Sequence, residues 1–172
     1  KKISEEKLID TMIYDGLIDA FNNYHMGVTA ENVAKKFDIS REEQDDFALN
    51  SQKKAQNAII KNKFKDELIA INQNGVTLKK DEHPRENLKL SDLQKLTPVF
   101  KKDGTVTAAN SSGINDGAAA ILLTTLEEAE KKSIEPLARI ISWASVGVEP
   151  SLMGLGPIEA VNQAIKKANW RL

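Results

Sequence analysis

Apolar positions along the chain fall first at helical spacing, then bunch into two short runs, and return to helical spacing at the end. Residues 1–28 are mixed: a short Ile3/Leu8/Ile9 segment, then Met12 to Tyr14, a turn at Asp15-Gly16, and the stretch Tyr24-His-Met-Gly27. From there Ala30, Val33, Ala34 and Phe37 share one helical face, and Thr29 is placed to cap it. Ser40-Arg-Glu-Glu43 is a capping box opening a longer helix, with a stripe of Phe47, Ala48, Ser51, Ala55, Ala58 and Ile59. Glu67 to Ile71 and Val76 to Lys79 flank Asn72-Gln-Asn-Gly75, the pattern of a hairpin turned by Asn-Gly. Residues 81–87 are polar and irregular, and Ser91-Asp-Leu-Gln94 predicts a second capped helix that stops before Pro98.

The two apolar runs predict buried strands, one over Ala119 to Thr124 and one within Leu137 to Val148. Thr125-Leu-Glu-Glu128 starts a helix between them that ends near Ser133. Pro150 to Pro157 reads as a loop, and Pro157 sits in the first turn of a last helix whose buried face is Ile158, Val161, Ile165 and Ala168. The order is helices with a hairpin, then strand, helix, strand, helix. The second half reads as α/β and the first as an inserted α+β module.

Composition narrows the function classes. The chain has 172 residues, 41% hydrophobic and 28% charged, with a net charge of −1. That balance leaves no basic footprint for nucleic acid. The longest apolar run, Ala118 to Leu123, is far short of the roughly 20 residues that span a bilayer. The chain holds no cysteine and two histidines, so it supplies no thiol nucleophile, no disulfide and no evident metal-ligand spacing. Hydrolase-elbow, dinucleotide and P-loop glycine motifs are missing from it.

What stands out is Thr107 to Ala120, T-A-A-N-S-S-G-I-N-D-G-A-A-A, nearly devoid of large side chains. Asn110, Ser111, Ser112, Asn115 and Asp116 favour caps and turns, and such a segment allows close approach of a backbone or a ligand. It resembles the N-A-S-G-x-N-D-G-A-A-A signature of thiolases, with Ser111 where Ala is usual. The resemblance extends through D-G-L at Asp15 to Leu17, Y-H-M-G at Tyr24 to Gly27 and T-A-E-N-V-A at Thr29 to Ala34. S-R-E-E-Q-D at Ser40 to Asp45, F-K-D-E at Phe64 to Glu67 and P-x-F at Pro98 to Phe100 follow in order. S-W-A-S-V-G-V-E-P at Ser142 to Pro150 and M-G-x-G-P-I at Met153 to Ile158 complete the series.

This resemblance implies an α/β thiolase fold, of which the chain is an internal fragment. Residues 1–115 would be the coenzyme A-binding loop domain lacking its start, 116–136 the end of the N-terminal half and 137–172 the start of the C-terminal half. The family's catalytic groups are a nucleophilic Cys, an Asn in N-E-A-F, a His in G-H-P and a second Cys in C-x-G-G. None of these motifs occurs in the sequence, so no catalytic residue and no metal ligand is assigned to it.

By the same resemblance His25 lies beside the pantetheine arm, Met26 shapes a short-acyl pocket, Arg85 meets the adenine end and Ser112 hydrogen-bonds the pantetheine. Leu17, Phe100, Ala108, Ile114 and Met153 would complete the apolar walls. Asp92 departs from the family, which tends to have Ser there near the ribose phosphate. The implied activity is condensation of two acetyl-CoA to acetoacetyl-CoA and its reversal. Coenzyme A would be a substrate rather than a tightly held cofactor, and the longer protein a cytoplasmic homodimer or homotetramer free of nucleic acid and membrane. A non-catalytic thiolase-like carrier of acyl-CoA or lipid is the alternative.

Overall fold

The computed structural model describes residues 8–171; the expected segment at Ile3 lies partly outside them. The chain divides after Gly113 into two compact units. In the first, Asp10 caps α1 (Thr11–Gly16) by accepting the Met12 N–H at 3.0 Å, so Asp15-Gly16 ends a helix rather than forming a free turn. A short antiparallel ribbon follows, β1 (Ile18–Asp19) against β2 (Tyr24–His25), with Ile18 opposite His25. The Asp19 carboxylate holds the connection by accepting from Phe21 N, Asn22 N and Asn22 Nδ2. These bonds, led by the Asn22 side chain, keep its carboxyl below the usual aspartate value despite burial.

Helix α2 (Met26–Lys36) starts directly on β2, and its cap is not the expected Thr29. His25 takes that role: its Nδ1 accepts the Gly27 N–H at 2.9 Å. Thr29 lies inside the first turn, buried, with its hydroxyl donating to Met26 O. After α2 the chain reverses through Asp38, whose φ of 52° lets Ile39 N reach Ala34 O. Ser40 and Glu43 then form the expected capping box of α3 (Arg41–Ile60). Hydrogen bonds from Ser40, its backbone N–H first, hold the Glu43 carboxyl below the usual value.

The expected stripe of α3 is half-buried at Ala48, Ala55, Ala58 and Ile59, but the helix's fully buried residues lie off it. Asp45 and Leu49 are buried while Phe47 is 79% exposed, because Arg41 and Asp45 turn toward the segment that follows the hairpin. That hairpin pairs β3 (Ile71–Gln73) with β4 (Val76–Leu78), and Asn74 and Gly75 both have positive φ, as its two-residue turn requires. Helix α4 (Leu90–Gln94) begins one residue before the expected Ser91 cap. Asp92 reaches back to the Lys89 N–H at 3.1 Å, which makes Lys89 the first boundary residue. Leu93 on α4 is fully buried and, with Ala34, Leu49 and Val106, forms the apolar part of this unit's core.

In the second unit Thr125 caps α5 (Leu126–Lys131) as expected, and Ala129 is its buried residue. The two predicted strands are not formed. Residues 119–124 and 137–148 pair with no ladder among the described residues, and Ile121, Leu122 and Leu123 stand exposed. A strand is made by its neighbours, and an apolar run with none alongside stays extended without a ladder. The loop expected from Pro150 is instead a 3-10 turn over Pro150–Leu155 that runs into α6 (Gly156–Lys167), with Pro157 in its first turn. No residue of α6 is buried; Ile158 and Val161 are exposed. Ser142 Oγ donates to Ala164 O and Lys167 Nζ to Trp143 O, so the backbone at 142–143 lies against this helix. Among the described residues no helix is long and apolar enough to cross a membrane.

Candidate functional site

The residues that matter most converge on the N-terminal end of α2. Its cap residue His25 lies face to face with Phe100, ring centroids 4.6 Å apart and planes 19° from parallel. Gly27 makes this packing available, since a Cβ there would overlap the Phe100 ring. Leu17 joins through its carbonyl, which accepts the Met26 N–H at 2.8 Å. Leu17, His25, Met26 and Phe100 therefore come together, all partly exposed. With Nδ1 engaged as an acceptor, neutral His25 carries its proton on Nε2, leaving a donor for a carbonyl or a water.

Phe100 is held from behind. Val99 N donates to Val106 O at 3.0 Å, closing the loop between them. Glu31, buried one and a half turns along α2, accepts from Thr105 N, from Val106 N at 2.8 Å and from the Thr105 hydroxyl at 3.0 Å. Gly104 gives it room, because a Cβ there would overlap the carboxylate. Gln44 on α3 donates to the same Thr105 hydroxyl at 2.9 Å.

A second buried carboxylate holds the small-residue stretch. Asp45 accepts from Arg41 Nε at 2.8 Å and from Asn110 Nδ2 at 3.0 Å. Arg41 Nη2 reaches Leu93 O and Leu96 O, tying in α4. Asn110 also donates to Thr105 O and accepts Thr107 N, while Ser111 Oγ donates to Thr107 O. These bonds shape the turn from which Ala108 and Ser112 emerge exposed.

Arg85 is exposed, its backbone N–H donating to Gln52 Oε1 on α3 at 3.1 Å. Beside it an open groove of about 630 Å³ is lined by Ile59, Phe64, Leu68, Lys80 and Pro84 among others. Asp92, the departure from the family pattern, uses its carboxylate on the α4 cap and 3.6 Å from Lys95 Nζ. Ile114 and Met153 belong to the second unit and are exposed there.

Sequence reasoning missed Glu31, Arg41, Asp45 and Gly27. A charged residue in a helical run looks like solvated surface until its distant partners are known. Only the near-absence of bulk from Thr107 to Ala120, which includes Asn110, hinted that something must pack closely there.

The family model for the thiolase N-terminal domain matches residues 1–127, which is most of the chain. The chain belongs to the thiolase family. Among curated thiolase relatives, an acetyl-CoA acetyltransferase of Rhizobium meliloti is 53% identical over 173 residues, 98% of this chain and 44% of that protein. A mouse protein named acetyl-CoA acetyltransferase, cytosolic, is 50% identical over 177 residues, 99% of this chain and 45% of that protein. A crystal structure of human mitochondrial 3-ketoacyl-CoA thiolase in complex with CoA superposes with a TM-score of 0.88 at 42% identity, covering 99% of this chain and 43% of that one. The thiolase fold is thus shared, and this chain spans about 44% of the length of the relatives it matches.

Proposed function

We propose that this chain is the coenzyme A-gripping part of an acetyl-CoA C-acetyltransferase. The observation that carries the reading is the His25–Phe100 stack on the capped end of α2, flanked by Leu17 and Met26. An aliphatic arm with amide groups suits that surface: ring and apolar faces to lie on, and the imidazole Nε2–H to meet a carbonyl. Ser112 offers a hydroxyl to the same arm, Arg85 a planar cation for the adenine or a phosphate, and Ala108 further apolar wall. Residues 1–115 act as the ligand-binding loop domain, while 116–136 and 137–172 join the two α/β halves. Coenzyme A is substrate and not a resident cofactor.

The reaction is acetyl transfer between two acetyl-CoA molecules, run in either direction through an acetyl-cysteine. Covalent transfer splits one difficult step into two easier ones. This sequence has no cysteine, so its residues bind and orient while the nucleophile comes from elsewhere in the protein. A cytoplasmic location fits the mouse relative's cytosolic name.

Met26 beside the ring stack would fill the space a long acyl chain needs. The full-length enzyme and its Met26→Gly variant are to be assayed for thiolysis of acetoacetyl-CoA and of longer 3-ketoacyl-CoA. Short-chain preference that relaxes in the variant supports the reading. Superimposable chain-length profiles overturn the role of Met26, and coenzyme A binding without any acyl transfer would identify a carrier instead.

A further inference from the structure

We propose that Glu31 is a positioning residue for the coenzyme A site, acting through Phe100; this rests on the function proposed above. Glu31 is 5% exposed. Among the described residues, every hydrogen bond its carboxylate accepts comes from Thr105 and Val106. Burying a charge is costly, and an apolar side chain could fill the same space against Val106. What an apolar side chain cannot do is fix the register of the 99–106 loop.

The linkage can be followed atom by atom. Glu31 holds Thr105 N and Val106 N, Val106 O holds Val99 N, and Phe100 is the next residue. Phe100 then lies on His25 over Gly27. His25 caps the helix that carries Glu31, and the two are about 9 Å apart along its axis at the usual rise. One rigid element therefore carries both the ring that meets the ligand and the carboxylate that sets the opposite ring.

The test uses steady-state thiolysis of acetoacetyl-CoA by the full-length enzyme, with active-site concentration measured for each variant. Phe100→Ala is the reference and should raise KM. Glu31→Gln keeps the shape but turns an N–H toward other N–H groups, and should raise KM about tenfold with kcat per active site changed by less than about twofold. Thr105→Val removes the hydroxyl, with its bonds to Glu31 and Gln44, and should raise KM by about threefold, and Thr105→Ser should restore it. Because Glu31 acts through Phe100, the Glu31→Gln, Phe100→Ala double variant should be no worse than Phe100→Ala alone. Should Glu31→Gln fail to fold, the Thr105 pair carries the same comparison. A raised KM in Phe100→Ala with unchanged KM in Glu31→Gln or Thr105→Val overturns the positioning role, as does additivity in the double variant. An unchanged KM in Phe100→Ala overturns the site reading itself and the proposal with it.

Discussion

The imidazole of His25 rests on the phenyl ring of Phe100, and Gly27, the second residue of the helix that His25 caps, leaves the ring its seat. Substituting Gly27 with Ala puts a methyl group where the ring lies. The expected result is displacement of Phe100, a stability loss of roughly 1–3 kcal/mol from overpacking, and weaker coenzyme A binding. Thermal unfolding and calorimetric titration with coenzyme A check both effects. A variant that binds as the wild type does would show that the ring position is irrelevant to the ligand.

His25 does two jobs that a pair of substitutions separates. As the α2 cap it accepts the Gly27 N–H, and as a ring it stacks on Phe100. His25→Asn retains an acceptor for the cap but no ring, so stability should hold while coenzyme A affinity falls several-fold. His25→Ala loses both, with about 1 kcal/mol of stability gone as well. Equal melting temperatures for the two variants would remove His25 from the cap.

Local chemistry was legible in the sequence, and distant chemistry was not. The Ser40–Glu43 box and the Asn74-Gly75 turn are set by neighbours within a few residues, and both form as read. The cap of α2 was misplaced because Thr29 is the better cap by type, whereas the extended backbone of β2 delivers His25 to the helix end first. Leu17, His25 and Met26 were named only through the resemblance to thiolases, because a ribbon of two-residue strands leaves no alternation to read. Glu31 and Asp45 were invisible, since their partners lie 65 to 75 residues away. The apolar runs at 119–124 and 137–148 carry a strand pattern, but pairing partners are a property of the sheet and not of the segment.

Asn110 should be the most sensitive residue of the small-residue stretch. It bonds Asp45 Oδ1, Thr105 O and Thr107 N together. Asn110→Ala is expected to cost on the order of 3 kcal/mol by deleting these bonds beside a buried carboxylate. Asn110→Asp should cost more, because it sets a second carboxylate against Asp45. Denaturant midpoints rank the two; an aspartate variant at least as stable as the alanine variant would contradict the geometry.

Acid should weaken the α3 cap in a defined direction. The Glu43 carboxyl titrates below its ordinary 4.5, held down by the Ser40 backbone N–H and then by the Ser40 hydroxyl. A depressed folded-state value means that the contribution is complete above the ordinary glutamate value and is lost as pH falls through the folded one. The melting-temperature gap between wild type and Glu43→Gln should therefore be widest near neutrality and shrink as pH drops below 4.5. A gap that is flat across that range would show that the charge plays no part in the cap.

The long reach of the two buried carboxylates bears on the order of events when the chain folds. Glu31 and Val106 are 75 residues apart, and Asp45 and Asn110 are 65 apart. Closing spans of that size loses much chain entropy before any bond is gained, whereas α2 and α3 need only neighbours. Both helices should thus be well formed in the transition state, while the 99–111 segment docks late. Substitutions at Glu31 and Asn110 would then speed unfolding far more than they slow folding. The surface proposed to meet the ligand would be the last part of its unit to assemble, and the first to come undone.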